Sequence, residues 1–248
     1  MRKILIFGFP HSGTTILKSI IGHIDGVHEI INEKYKIDDS DILKAKKSGK
    51  HTTVCKLPYF GNVFLTEEFK SYHKIFVVRN PVWIYSSLNK RFDIKDTFSE
   101  NYKVLETQAS LAKWSDTARL FNWFKTGNPY GIMTIRYEDF FENNFQNIKN
   151  ILDKIGLQYT DEIFDNSKYK NYSVEGVEIP DVMPKNVEHA DYRTWQINQK
   201  IQNLNTPDKI FLLPHQLSHF KNCLHTKLLY PLERRINITN EEWQSIPK

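Results

Sequence analysis

The chain has 248 residues, 40% of them apolar and 13% aromatic, which suits a folded α/β domain with appended helices and excludes a disordered one. Lys and Arg number 34 against 29 Asp and Glu, a net charge of +5. That is consistent with anionic ligands, but the tightest cluster (Lys44, Lys46, Lys47, Lys50) reads as a solvated face and not as a nucleic-acid footprint. The two cysteines, Cys55 and Cys223, exclude a disulfide framework and a cysteine metal spacing. With no basic–apolar–small leader and no apolar run long enough for a bilayer, a soluble cytoplasmic protein without a membrane span is expected.

Residues 3–18, KILIFGFPHSGTTILK, open with a short β-branched run that predicts a buried parallel strand. Gly8, Pro10 and Gly13 then break the pattern, and Thr14, Thr15, Ile16, Leu17, Ile20 and Ile21 follow at helical spacing. Strand, glycine loop and helix form the layout of an anion site, in which backbone N–H groups and the helix dipole face a phosphate. The spacing is G-x4-G, but Thr14 stands where a nucleoside-triphosphatase carries its lysine, which argues against a bound γ-phosphate. An ordinary βα turn with a threonine cap is the plain alternative.

After a turn at residues 22–26, residues 27–33 are expected to return across the mouth of the site, and 34–50 to be a loop with at most one short helix near 41–47. Residues 51–57 predict a strand ended by Pro58, and 66–72 a short helix capped by Thr66. Residues 74–78 predict a central strand, followed by a helix from about Val82 to Lys90. A helical pattern over 97–126 places Leu111, Trp114, Ala118, Phe121 and Phe124 on one face, the signature of core packing. A strand over 130–136 and an amphipathic helix closed by Gly156 come next. Period is lost over 170–191, the candidate lid, before helices expected at 195–204 and 207–224. Strands alternating with helices predict an α/β fold: a P-loop-like three-layer αβα sandwich with a central parallel sheet and a helical C-terminal region. One domain over 1–248 is expected, with a nucleotide-binding core of about 1–157 and an acceptor and lid region of about 158–248.

Three polar clusters fall at the carboxyl ends of the expected strands: Pro10-His11-Ser12-Gly13-Thr14-Thr15, then Lys56-Leu57-Pro58, then Arg79-Asn80-Pro81. Together they resemble the sulfotransferase family, whose donor is 3′-phosphoadenosine-5′-phosphosulfate and whose nucleotide product is adenosine 3′,5′-bisphosphate. The first cluster is similar to the family's Pro-Arg/Lys-Ser-Gly-Thr-Thr loop for the 5′-phosphosulfate. Arg79 with Ser87 eight positions on is similar to its 3′-phosphate pair, a forked cation plus a hydroxyl donor. Tyr137, in Tyr137-Glu138-Asp139, resembles a tyrosine that borders adenine in some members, while Glu138 and Asp139 read as helix-entry caps. The resemblance covers residues 1–157.

His11 departs from the family, which has lysine or arginine there against the leaving-group oxygen. It would act either protonated beside a polyanion or as a neutral donor, with Lys56 supplying the charge. Lys56 itself resembles a lysine facing the reaction centre in heparan-type members. The same comparison makes Glu33 the first choice of general base, with Glu29 and His28 as alternatives. Lys185 and Arg193 are counterparts of a late basic loop, although the glycine usual there is missing. The resemblance implies a small-molecule or glycan acceptor, no metal and no nucleic acid. A P-loop kinase of a small metabolite, or a non-catalytic nucleotide-binding protein of the same fold, remain the alternatives.

Overall fold

The computed structural model describes residues 1–58, 62–92, 111–165, 178–184, 189–206, 208 and 210–230. Five parallel strands form one sheet: β1 (Arg2–Gly8), β2 (Val27–Glu29), β3 (Thr52–Leu57), β4 (Tyr72–Val78) and β5 (Met133–Arg136), in the order β2-β3-β1-β4-β5. β1 is central, with Ile6 level with Lys56 on one side and with Ile75 on the other. The chain leaves β1 toward β2 and β3, then crosses to β4 and β5. The loop after β1 therefore opens at the point where the strand order reverses, the usual ligand crevice of such sheets.

Both faces of the sheet are covered, as the unbroken apolar runs require. Alternation along β1 sends Leu5 and Phe7 into one core and Ile4 and Ile6 into the other. The first core is built from α3 (Pro81–Phe92), α4 (Leu111–Thr126), α7 (Pro214–Asn222) and α8 (Leu224–Leu229). Trp114, Ala118, Phe121 and Phe124 of α4 are all buried in it, as their spacing predicts. The second core takes α1 (Thr14–Gly22) and α5 (Gln146–Ile155), which ends at Gly156 in a left-handed cap. This is the expected three-layer α/β architecture with a helical C-terminal region.

Several boundaries differ from the sequence reading. Residues 27–29 are an edge strand beside β3, and the return across the site begins only after them. α2 (Asp39–Lys47) starts earlier than expected because Asp38 and Asp41 form a reciprocal capping box. Residues 66–72 hold only a three-residue 3₁₀ turn, Glu67–Phe69, because Tyr72 already belongs to β4. The helix expected at 195–204 is instead α6 (His189–Ile197), and 198–206 is irregular. The helix expected at 207–224 is the pair α7 and α8. Residues 97–110 of the long helical pattern and most of the candidate lid lie outside the described residues. No helix among the described residues is long and apolar enough to cross a membrane.

Candidate active site

The loop after β1 is shaped by close backbone approaches. A Cβ on Gly8 would lie 2.2 Å from the carbonyl oxygen of Val77 in β4. A Cβ on Gly13, at φ 93°, would lie 2.3 Å from the ring of Tyr137, so only glycine fits there. Ser12 N–H donates to the Phe9 carbonyl at 3.2 Å, and His11 joins Gly13 in the left-handed region at φ 63°. This turn delivers the chain to the N-terminus of α1, whose first turn carries no acidic side chain. The opening N–H groups of a helix have no acceptor within it. Ser12 is fully buried, yet its Oγ has no hydrogen-bond partner. An orphaned hydroxyl in such a loop fits an anionic oxygen as the missing acceptor.

At the end of β4, the Arg79 guanidinium lies over the Tyr137 ring at 4.3 Å. Its Nη1 donates to the His11 carbonyl at 3.1 Å, and its Nε and Nη2 donate to Asn205 Oδ1 at 2.9 and 2.6 Å. Ser87, on α3, meets His11 Nδ1 through its Oγ at 2.7 Å. One turn further along α3, Arg91 lies 3.8 Å over the ring of Tyr192, which is itself 6.2 Å from the His11 ring. Burial, reinforced by Arg91, Arg79 and Lys56, holds the His11 pKa well below its ordinary value. His11 is therefore neutral in the free protein, and Nδ1 is engaged by Ser87.

Lys56, at the end of β3, is 2% exposed and pairs with Glu33 Oε1 at 2.5 Å. Burial draws its pKa down to about 7, with Arg193 acting in the same direction and Glu33 opposing both. Two buried cations fix the backbone leading to Glu33. Lys18 donates to the carbonyls of Ile30 and Ile31 at 2.6 and 3.0 Å and pairs with Glu29 at 3.1 Å. Arg193, 1% exposed on α6, donates to Ile31 O, Thr15 Oγ1 and Gln196 Oε1, while its Nε is buried without a partner.

Contacts link the loop Pro10–Thr15 to Ser87, Arg79 and Arg193, Arg79 to Tyr137, and Lys56 to Glu33, near the carboxyl ends of the strands. Glu29 is turned to Lys18, and His28 belongs to the edge strand. Lys185 lies outside the described residues. Glu138 is not a helix-entry cap: its Oε1 accepts from Asn80 N and Asn205 Nδ2 and its Oε2 from Tyr230 Oη, so the side chain turns into the protein. Asp139 instead takes a two-bond fork from Arg136. Sequence reasoning missed Lys18, Arg91 and Asn205. Arg91 was legible as the i+4 neighbour of Ser87, and Lys18 as a charge on an apolar helix face. Asn205 had no signal, because it lies just past a segment read as helix. No group of three or more His, Cys, Asp or Glu side chains fit to hold a metal ion occurs among the described residues.

No curated protein matches the chain. Among solved structures, mouse sulfotransferase SULT7A1 complexed with PAP is similar at 18% identity and a TM-score of 0.45, over 65% of this chain and 60% of that one. Less than two thirds of the mouse protein's length is therefore spanned. Retinol dehydratase in a complex with retinol and PAP is similar at 15% identity and a TM-score of 0.40, over 69% of this chain and 67% of that one. The same enzyme with androsterone and PAP gives 14% identity and a TM-score of 0.41, again over 69% and 67%. The profile of the sulfotransferase domain matches residues 1–220, nearly the whole chain, and the protein belongs to that family.

Proposed function

We propose that this protein transfers a sulfuryl group from 3′-phosphoadenosine-5′-phosphosulfate to a hydroxyl or amine of a small-molecule or glycan acceptor, by in-line displacement and without a metal. The observation that carries the reading is the joining of two anion-binding elements through one residue. His11 belongs to the loop at the N-terminus of α1, its ring meets Ser87, and its carbonyl accepts from Arg79. A nucleotide with phosphate groups at both its 5′ and 3′ positions matches that pairing. The donor supplies an activated S–O bond with a phosphate leaving group.

In this reading the loop amides of residues 13–15 and the Ser12 hydroxyl hold the 5′-phosphosulfate, with Thr14 and Thr15 at the start of α1. Arg79 and Ser87 hold the 3′-phosphate, and Tyr137 supports Arg79 from below. Arg193 braces Thr15 and the backbone before Glu33. Lys56 and neutral His11 offer N–H donors to the oxygen that accumulates charge, in a site with little water. Glu33 takes the acceptor's proton. The ion pair between Lys56 and Glu33 keeps acid and base partners aligned until the ligands arrive. The two cysteines are free, which suits a reducing, cytoplasmic compartment.

Calorimetric titration of adenosine 3′,5′-bisphosphate, without metal, into wild type and Arg79→Ala tests the assignment. Binding is expected to weaken at least tenfold in the variant, about 1.4 kcal/mol. Magnesium-dependent ATP binding in place of bisphosphate binding would overturn it in favour of a small-metabolite kinase.

A further inference from the structure

The Nε–Nη2 edge of an arginine can donate two parallel hydrogen bonds to a phosphate or carboxylate. In Arg79 that edge is already closed, by the single oxygen Oδ1 of Asn205 at 2.9 and 2.6 Å. The amide cannot be turned over, because its Nδ2 donates to Glu138 Oε1 at 3.0 Å. A flipped amide would set an NH₂ group against a guanidinium and an oxygen against a carboxylate. Glu138 is fixed in turn by Asn80 N at 3.0 Å and Tyr230 Oη at 3.1 Å. The segment before Asn205 is held by Tyr137, whose hydroxyl donates to Gln202 O and accepts from Leu204 N, both at 3.1 Å. Residues 202–204 are nonetheless exposed and carry no regular structure, so this segment can swing into solvent without opening a core.

We propose that Asn205 is a built-in competitor for Arg79: it occupies the guanidinium fork in the free protein, must leave when a 3′-phosphate binds, and returns to help expel the nucleotide product. The proposal rests on the sulfotransferase reading above, which assigns Arg79 to the 3′-phosphate. A dianion displaces the amide because two charged oxygens take the fork as a bidentate pair and add a charge–charge attraction that one neutral carbonyl oxygen lacks. The displaced amide still weakens apparent affinity, in proportion to the closed population. Substrate and product carry the same 3′-phosphate, so the competitor weakens both alike, and its benefit lies in faster release of the product. Release of product is a common limit on turnover.

The test measures affinity and dissociation rate of adenosine 3′,5′-bisphosphate and of adenosine 5′-phosphate for wild type, Asn205→Ala and Asn205→Ser. Serine keeps a hydroxyl near Glu138 but is too short to close the Arg79 fork, so it stands in should the alanine variant fold poorly; Leu204→Ala is the neighbouring control. The expected result is bisphosphate binding at least threefold tighter in both Asn205 variants, with slower dissociation. Adenosine 5′-phosphate should change by less than twofold. Weaker or unchanged bisphosphate binding would make Asn205 a phosphate ligand or a bystander and overturn the competitor. Equal tightening of both nucleotides would place its effect away from the 3′-phosphate and also overturn it. Failure of wild type to bind either nucleotide would instead remove the functional reading, and the competitor with it.

Discussion

Lys56 has two neighbours pulling in opposite directions, and burial decides between them. The Glu33 carboxylate at 2.5 Å favours the charged amine, yet at 2% exposure the lost hydration is larger, and the pKa falls from 10.5 to about 7. Near neutral pH the amine is therefore divided between its charged and neutral forms in the free protein. An incoming phosphosulfate or bisphosphate favours the charged form and raises the pKa again. Binding must then draw a proton from solution at any pH between the free and bound values, and affinity falls as pH rises above about 7. Calorimetry at pH 8 in two buffers of different ionisation enthalpy should show this uptake, and Lys56→Arg should abolish it, since arginine stays protonated throughout. Equal heats in the two buffers for wild type would remove Lys56 from the anion site. His11 shows the complementary case. Burial and crowding by Arg91, Arg79 and Lys56 hold its pKa well below the ordinary value in the free protein, and an incoming anion would raise it as it raises that of Lys56.

The segment between β2 and α2 depends on cations contributed by two helices. Lys18 on α1 and Arg193 on α6 bind the carbonyls of residues 30 and 31, and Glu33 reaches Lys56 only because that backbone is held. The Lys18–Glu29 pair is nearly without solvent, with side chains 0% and 5% exposed. Lys18→Met would strand a buried carboxylate, at a cost of about 3–5 kcal/mol. Urea unfolding of Lys18→Met, Glu29→Gln and the double variant should show the double variant losing clearly less than the sum of the singles. Additive losses would mean that the two groups do not stabilise one another. How much of this was legible follows from periodicity. β1, β4, α3 and α5 announce themselves by unbroken apolar runs or helical spacing. Val27–Glu29 did not, because an edge strand of three residues with one apolar member has no period to read. Residues 195–204 misled for the opposite reason: Ile197, Ile201 and Leu204 repeat at helical spacing. There the side chains of Asn198 and Gln199 donate to the carbonyls of Thr194 and Trp195, and α6 stops at Ile197. Asn205 was hidden by that false continuation, whereas the Pro10–Thr15 loop and Arg79 with Ser87 were visible because their spacing along the chain is local.

At the scale of the whole molecule, the sequence divides at about residue 157 into a motif-rich part and a remainder, but the packing does not. Ile210, Leu212, Leu217, Phe220, Leu229 and Tyr230 lie in the same core as Leu5, Phe7, Phe76 and Tyr85. Phe220 stacks on Tyr85 at 4.9 Å, Asn89 donates to Phe211 O, and Phe211 N donates to Ser86 Oγ, so α3 is fastened along its length by residues 210–220. Tyr230 reaches Glu138, and Arg136 reaches Leu229 O, which ties α8 to the end of β5. Residues 189–205 meanwhile bring Arg193 and Asn205 into the crevice. A chain cut after Asp165 would therefore lose one wall of the first core and two side chains of the site in the same stroke. Wild type is expected to unfold in one cooperative urea transition, followed alike by tryptophan fluorescence and far-ultraviolet circular dichroism. The 1–165 fragment should show a broad transition with a reduced m-value and no measurable binding of adenosine 3′,5′-bisphosphate. A fragment that kept both a sharp transition and nucleotide affinity would make the C-terminal helices an appendage; loss of both makes them part of the single body that forms the site.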